Sequence, residues 1–187
     1  MKYYLIIGLF FISVSGLQAQ TKKEVKKSGI TSVKITSSKE VNGSMTEQNE
    51  SFTRYDKDGN EVEEINYSET GEFKLRIKRV FNKYNDQVEE SHYDKDDKLI
   101  MQVKTKYNVN NHKQEEAVYD GNGKLLEKTL FTYNANDEKS AEVTMDGNGM
   151  LKRKEIFIYD KKGMRIQKTS YDGSGKLLGI KKYEYEY

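Results

Sequence analysis

Three pairs of adjacent glutamates, Glu63/Glu64, Glu89/Glu90 and Glu115/Glu116, recur at intervals of 26 residues. Paired carboxylates are the groups that hydrolyse glycosidic bonds, one as acid and the other as base or nucleophile. Neighbours along an extended strand point to opposite faces, so the members of one pair cannot share a site. Glu63, Glu89 and Glu115 together would instead form an acidic line. His92 and His112 are the only histidines, and neither has a partner patterned for zinc or for a catalytic triad. Asp56-x-Asp58-x-Asn60 sets oxygens at alternate positions, as a calcium loop does. An EF-hand needs glycine sixth and glutamate twelfth, whereas Gly59 stands fourth and Tyr67 twelfth, so turn formation accounts better for these residues. No serine or threonine has an accompanying base, no glycine-rich phosphate loop precedes a helix, and the absence of cysteine removes disulfides and thiolate metal sites. No catalytic residue, metal ion or cofactor is expected.

The residues best suited to contact a ligand are tyrosines, whose flat, partly polar rings give a large contact area at low entropic cost. The candidate binding set is Tyr107, Tyr119, Tyr133 and Tyr159, with Glu89 and Glu115 beside them; the competing assignment makes the same rings the core. Large residues mark the chain at Tyr55, Tyr67, Phe81, Tyr93, Tyr107, Tyr119, Tyr133, Met145, Tyr159, Tyr171 and Tyr185, with separations that alternate 12 and 14. Each unit holds one turn signal of the form Asp-x-x-Gly, clearest at Asp56 with Gly59, Asp120 with Gly123, Asp146 with Gly149, Asp160 with Gly163 and Asp172 with Gly175. Aspartate accepts backbone hydrogen bonds at the head of such a turn, and glycine fits the left-handed conformation at its end. Between turns the composition is that of strands with a period of two.

These signals predict an all-β fold: an antiparallel meander of about eleven strands in a strongly twisted or curled repeat sheet, open or closed on itself. With a bulge at Gly123, Asp120 should lie opposite Lys124 and Tyr119 opposite Leu125. Propagating that register pairs Glu64 with Arg76, Glu116 with Lys128, Glu142 with Lys154, Lys78 with Glu90 and Lys104 with Glu116. It also gathers every marker tyrosine on one face, together with Phe131, Phe157, Glu63, Glu89, Glu115, Arg153 and Glu155. Leu130, Ile156, Ile158 and Ile180 then fall on the opposite, charged side.

Residues 1–19 read as a secretory signal peptide, with Lys2 before the apolar run Leu5 to Phe11 and Ala19 at the cleavage point. Its removal leaves 31 basic against 30 acidic residues, a balance that calls for no nucleic-acid partner. The run is short for a bilayer span, so no transmembrane segment is expected in the mature chain. Residues 20–54 read as a basic arm, the KKEVKK tract, followed by degenerate capping repeats with a hairpin connection at Asn42-Gly43. Residues 55–187 are the repeat region.

Tyr55-Asp56-x-x-Gly59, Tyr119-Asp120-x-x-Gly123-x-Leu125, Tyr159-Asp160-x-x-Gly163 and Tyr171-Asp172-x-x-Gly175-x-Leu177 resemble the bacterial YD-repeat or Rhs-like group over about 55–187. The chain is more weakly similar to MORN-like secreted repeat proteins, and its leader resembles those of Bacteroidetes exports. The resemblance implies β structures that encapsulate, adhere or scaffold without catalysis. The spacing is shorter than that of typical Rhs units, and the chain is too short to enclose a toxin. The functional expectation is an exported, non-enzymatic binding or scaffold protein that recognises a protein or glycan in the periplasm, at the cell surface or outside the cell. Two alternatives stand beside it: an immunity protein against a toxin, and an envelope glycosidase using the glutamate line.

Overall fold

The computed structural model describes residues 21–186, so the expected signal peptide lies outside the described residues. Twelve strands follow in chain order: β1 (Ser32–Val41), β2 (Ser44–Tyr55), β3 (Glu61–Tyr67), β4 (Phe73–Phe81), β5 (Gln87–Tyr93), β6 (Leu99–Tyr107), β7 (Lys113–Asp120), β8 (Leu125–Tyr133), β9 (Lys139–Asp146), β10 (Leu151–Tyr159), β11 (Arg165–Asp172) and β12 (Leu177–Lys182). Each pairs antiparallel with the next, giving one open meander bounded by β1 and β12 among the described residues. The twelfth strand comes from residues 32–55, where Asn42 and Gly43, at φ 51° and 80°, close a two-residue hairpin.

The turns obey one rule. In the 120–123 turn the Asp120 carboxylate accepts from the amides of Asn122 and Lys124, both at 2.9 Å, while Gly123 takes φ 83°. The turn headed by Asp146 repeats it: the carboxylate accepts from the amides of Asn148 and Met150, both at 2.9 Å, and Gly149 takes φ 84°. No atom beyond its chain neighbours lies within 4 Å of where a Cβ on Gly149 would stand, so the left-handed backbone and not crowding calls for glycine there. The expected turn glycines Gly59, Gly163 and Gly175 are left-handed too, after Asp56, Asp160 and Asp172. Asn, Asp or Ser heads the remaining turns at 68, 82, 94, 108 and 134. Where glycine is missing from the left-handed position, Asn85, Asp97, Asn111 and Asp137 fill it, because a short polar side chain tolerates that conformation best after glycine.

The register differs from the expected one, and the reason is a second irregularity after every turn headed by Asp, Asn or Ser. Tyr119 does lie opposite Leu125, but Val118 lies opposite Glu127, so Leu126 is an extra residue. Glu116 therefore pairs with Thr129, and Lys128 with Ala117. The two are on opposite faces, not partners. The other expected pairs slip by one in the same way: Arg76 faces Ile65, Glu90 faces Arg79, Lys104 faces Ala117, and Lys154 faces Val143. One inserted residue inverts which face a strand's alternate side chains occupy.

The marker residues consequently split into two columns. Tyr67, Tyr93, Tyr119, Met145 and Tyr171 line the first face. Tyr55, Phe81, Tyr107, Tyr133, Tyr159 and Tyr185 line the second. Glu63, Glu89 and Glu115 lie on the first face, whereas Arg153 and Glu155 lie on the second with Phe131 and Phe157. Leu130, Ile156, Ile158 and Ile180 share the first face with Tyr119 and Tyr171.

Among the described residues no second layer covers either face; the buried apolar side chains are Val25, Ile77, Ala117 and Phe157. Lateral pairing, and the aliphatic stems of Lys and Arg lying along the sheet, replace a two-layer core. The KKEVKK tract, read as a basic arm, is helical with its four lysines exposed. It forms the helix α1 (Lys22–Ser28), with Thr21 and Glu24 closing a capping box and Val25 buried beneath. The helix seats on the Asp56–Gly59 turn between β2 and β3, where Lys26 pairs with Asp58 at 2.9 Å and the Lys22 carbonyl lies against Gly59.

Candidate functional site: an aromatic column on the second face

Tyr107, Tyr133, Tyr159 and Tyr185 stand 26 residues apart, at the ends of β6, β8 and β10 and just beyond β12. Each hydroxyl donates to a backbone carbonyl twenty residues earlier: Gln87 at 3.0 Å, Lys113 at 2.9 Å, Lys139 at 2.9 Å and Arg165 at 2.8 Å. Each ring is thereby laid across the exit of the preceding hairpin on the same edge of the sheet. Strands alternate in direction, so successive rings are two strands apart, about 9.5 Å. Burial raises the hydroxyl pKa of Tyr107 and Tyr133 above the ordinary tyrosine value.

Cations fill the spaces between rings. Lys139 Nζ lies 5.6 Å from the Phe131 centroid and 5.1 Å from that of Phe157; Arg165 Cζ is 4.5 Å from Phe157 and 5.8 Å from Tyr159. His112 stacks on Tyr133 with centroids 4.7 Å apart. Glu142 pairs with Lys139, and Glu155 with Lys168 at 2.7 Å. Burial works to raise the Glu155 pKa, but the Lys168 hydrogen bond and the charges of Arg153 and Lys168 hold it below its usual value.

The expected ligand-contact set does not assemble as one group. Tyr107, Tyr133 and Tyr159 belong to this column, whereas Tyr119, Glu89 and Glu115 lie on the other face. There Lys104 sits over the Tyr119 ring at 5.7 Å, Glu89 accepts from Ser91, and Glu115 meets Lys106 at 2.9 Å and Lys128 at 3.9 Å. Glu63 is held between Arg54 and Arg76. The Asp56 carboxylate is spent on the amides of Asp58 and Asn60 and on the Asn60 side chain.

Sequence reasoning missed Arg79, at the N-terminal end of the second face. It bonds Glu64 at 2.7 Å and Glu90 at 3.0 Å and lies 3.7 Å from Glu61. The Glu90 carboxyl falls to about 2, chiefly because His92 donates to it and then because of Arg79, against the opposing effect of burial. The residues that precede the second bulge, Glu61, Gln87, Lys113, Lys139 and Arg165, recur every 26 positions; that spacing was the available signal for the cations.

No protein-family model matches the sequence, and no curated protein matches it. Among solved structures, a protein of unknown function from Bacteroides fragilis aligns 59% of this chain with 92% of its own at 13% identity and a TM-score of 0.47. A porin-like protein from Bacteroides uniformis aligns over 76% and 78% at 8% identity and a TM-score of 0.34. The TcdB2-TccC3-Cdc42 complex aligns with 81% of this chain, over 9% of its own chain, at 11% identity and a TM-score of 0.30.

Proposed function

We propose that the chain is a non-catalytic, exported binding protein of the cell envelope that holds an extended ligand, a glycan chain in preference to a protein, against the column Tyr107–Tyr133–Tyr159. The observation that carries this reading is that the ring hydroxyls are tied to the backbone while, among the described residues, no second layer covers the face on which the half-buried rings lie. Immobilised rings lose little entropy on contact, which favours stacking against flat, partly apolar sugar faces. A spacing of about 9.5 Å between rings suits a polymer running across the strands, with alternate units in register. Lys139, Arg165 and Lys168 would favour a ligand with negative charge. The leader-like apolar run Leu5 to Phe11 and the YD-like motifs support the envelope setting.

The test is binding of the purified chain to a panel of bacterial envelope polysaccharides and solubilised outer-membrane proteins. Tyr133→Ala combined with Tyr159→Ala should weaken retention on a polysaccharide at least tenfold, whereas the two Tyr→Phe changes should weaken it by much less, because they keep the rings and lose only their ties to the backbone. Retention on proteins alone would replace glycan with protein as the ligand. Retention of nothing, or turnover of a polysaccharide, would overturn the reading.

A further inference from the structure

The line of rings on the second face continues beyond Tyr107 to Phe81 and Tyr55, and there its construction changes. Phe81 stands 26 residues before Tyr107 but has no hydroxyl to close on the Glu61 carbonyl, as Tyr107 closes on that of Gln87. The Tyr55 hydroxyl makes no hydrogen bond among the described residues. The tie that fixes the later rings is therefore absent from both.

A cleft of about 340 Å³ opens at this place, lined by Tyr55, Phe81, Glu61, Arg79, Gln87 and Lys22. Pockets for small ligands run from about 300 to 1,000 Å³, so one small ring fits. Lys22 of α1 bounds the cleft at the β2–β3 turn, and Gln87, which carries the Tyr107 tie, bounds it in β5. The cleft is thus continuous with the column and is walled by the helix at the other end. It also holds an unused donor. Arg79 gives Nη2 to Glu64 at 2.7 Å and Nε to Glu90 at 3.0 Å, whereas Nη1 is enclosed, donates no hydrogen bond and lies 3.7 Å from Glu61. An enclosed donor without an acceptor is costly, and a ligand oxygen entering the cleft would supply one.

We propose that this cleft binds the terminal unit of the glycan, a neutral pyranose, so that the column takes up a polymer from one end; the inference rests on the glycan reading of the column. A pyranose is apolar on its ring faces and hydroxylated around its rim. Tyr55 and Phe81 offer aromatic surface to the faces, the Tyr55 hydroxyl and Arg79 Nη1 offer donors to the rim, and the Glu61 carboxylate accepts from it. Charge selects against an acidic sugar. Arg79 is already flanked by Glu61, Glu64 and Glu90, three carboxylates against the two cations Arg79 and Lys22. A uronate would bring a fourth negative charge among them. The cations that favour a charged ligand, Lys139, Arg165 and Lys168, stand six to eight strands further along, in β9 and β11. A neutral end and a charged body would be read at separate places.

The test is titration of the isotopically labelled full chain with glucose, galactose, mannose, N-acetylglucosamine and glucuronate, followed through amide chemical shifts. At least one neutral sugar should shift Tyr55, Arg79 and Phe81, and should bind about tenfold more tightly than glucuronate. Phe81→Tyr restores the hydroxyl that the later rings carry and places it in the cleft. It should weaken that sugar about tenfold while the thermal melt holds or rises. Tyr55→Phe removes a single hydrogen bond and should weaken it about fivefold. Shifts confined to Tyr133 and Tyr159 would overturn the end site and leave the column reading standing. Shifts at Tyr55 and Phe81 in a chain that retains no polysaccharide would support the cleft as a sugar site and strike the column alone. No shift with any of the five sugars, tighter binding of glucuronate, or unchanged binding by Phe81→Tyr overturns the proposal.

Discussion

Equivalent positions in the two halves of the sheet carry opposite chemistry on the same backbone. On the second face, Arg79 in β4 is surrounded by Glu61, Glu64 and Glu90; 78 residues later, Phe157 in β10 is surrounded by Lys139, Arg165 and Lys168. The centre changes from cation to ring, and Glu61 and Glu90 give way to Lys139 and Lys168, while Glu64 keeps its charge as Glu142. On the first face the cross-strand row Glu63–Lys78–Ser91–Gln102–Tyr119 becomes Glu89–Lys104–Ala117–Lys128–Met145, then Glu115–Leu130–Val143–Lys154–Tyr171. Register survives these exchanges, so it is set by the turns and their following bulges. Face chemistry is left free to vary, with ion pairs stiffening the first half and exposed apolar surface accumulating in the second.

If turns set the register, the largest effect should come from a turn. A Cβ at Gly147 would stand 2.0 Å from the Leu125 carbonyl oxygen, and Gly121 and Gly173 meet Leu99 and Leu151 in the same way. Gly147→Ala should cost about 3 kcal/mol in denaturant melts, since backbone and not a flexible side chain must move. In the first half the equivalent position is Lys95, and Lys95→Ala should change stability by less than about 0.5 kcal/mol. Equal effects would remove the turns as the source of register in the second half.

Next in size is the charged centre. Arg79→Ala strands Glu64 and Glu90 without a counter-charge and should cost about 2 kcal/mol, below the figure for a fully buried pair because the site is partly wet. The same network gives the first half an acid response. The Glu90 carboxyl is held at about 2, below its ordinary 4.5, so the stabilisation it supplies is fully present above pH 4.5 and is lost as pH falls towards 2. Hydrogen exchange in that window should open β3–β6 before β8–β10; simultaneous opening would show that the network does not separate the halves.

The period, the turn heads and the meander were legible because a left-handed residue and an aspartate acceptor leave fixed signatures in the sequence, as Asp146 and Gly149 do. The faces were not legible. The extra residues, such as Leu126 and Ser140, are ordinary strand residues with no composition that marks a bulge, and a single unmarked insertion moves Tyr119 away from Tyr133. The hydroxyl targets of the tyrosines were hidden for the same reason, since a separation of twenty residues acquires meaning only once the register is known. The helix was readable in principle. Thr21-x-x-Glu24 before Val25 is a capping-box pattern, which attention to the charge of KKEVKK passes over.

The smallest effect tests whether face chemistry is as free as the comparison holds. Leu130 lies opposite Glu115 at the position where Lys104 lies opposite Glu89. Leu130→Lys rebuilds in the second half the cross-strand neighbours that the first half already carries, giving up part of one side chain's apolar contact for a solvent-screened attraction to Glu115. Those terms are each below about 1 kcal/mol and opposed in sign, so the melt should move by no more than about 0.5 kcal/mol. A loss several times larger would mean that Leu130 and Val143 act as a core for the second half, and that its apolar face is structural rather than free surface.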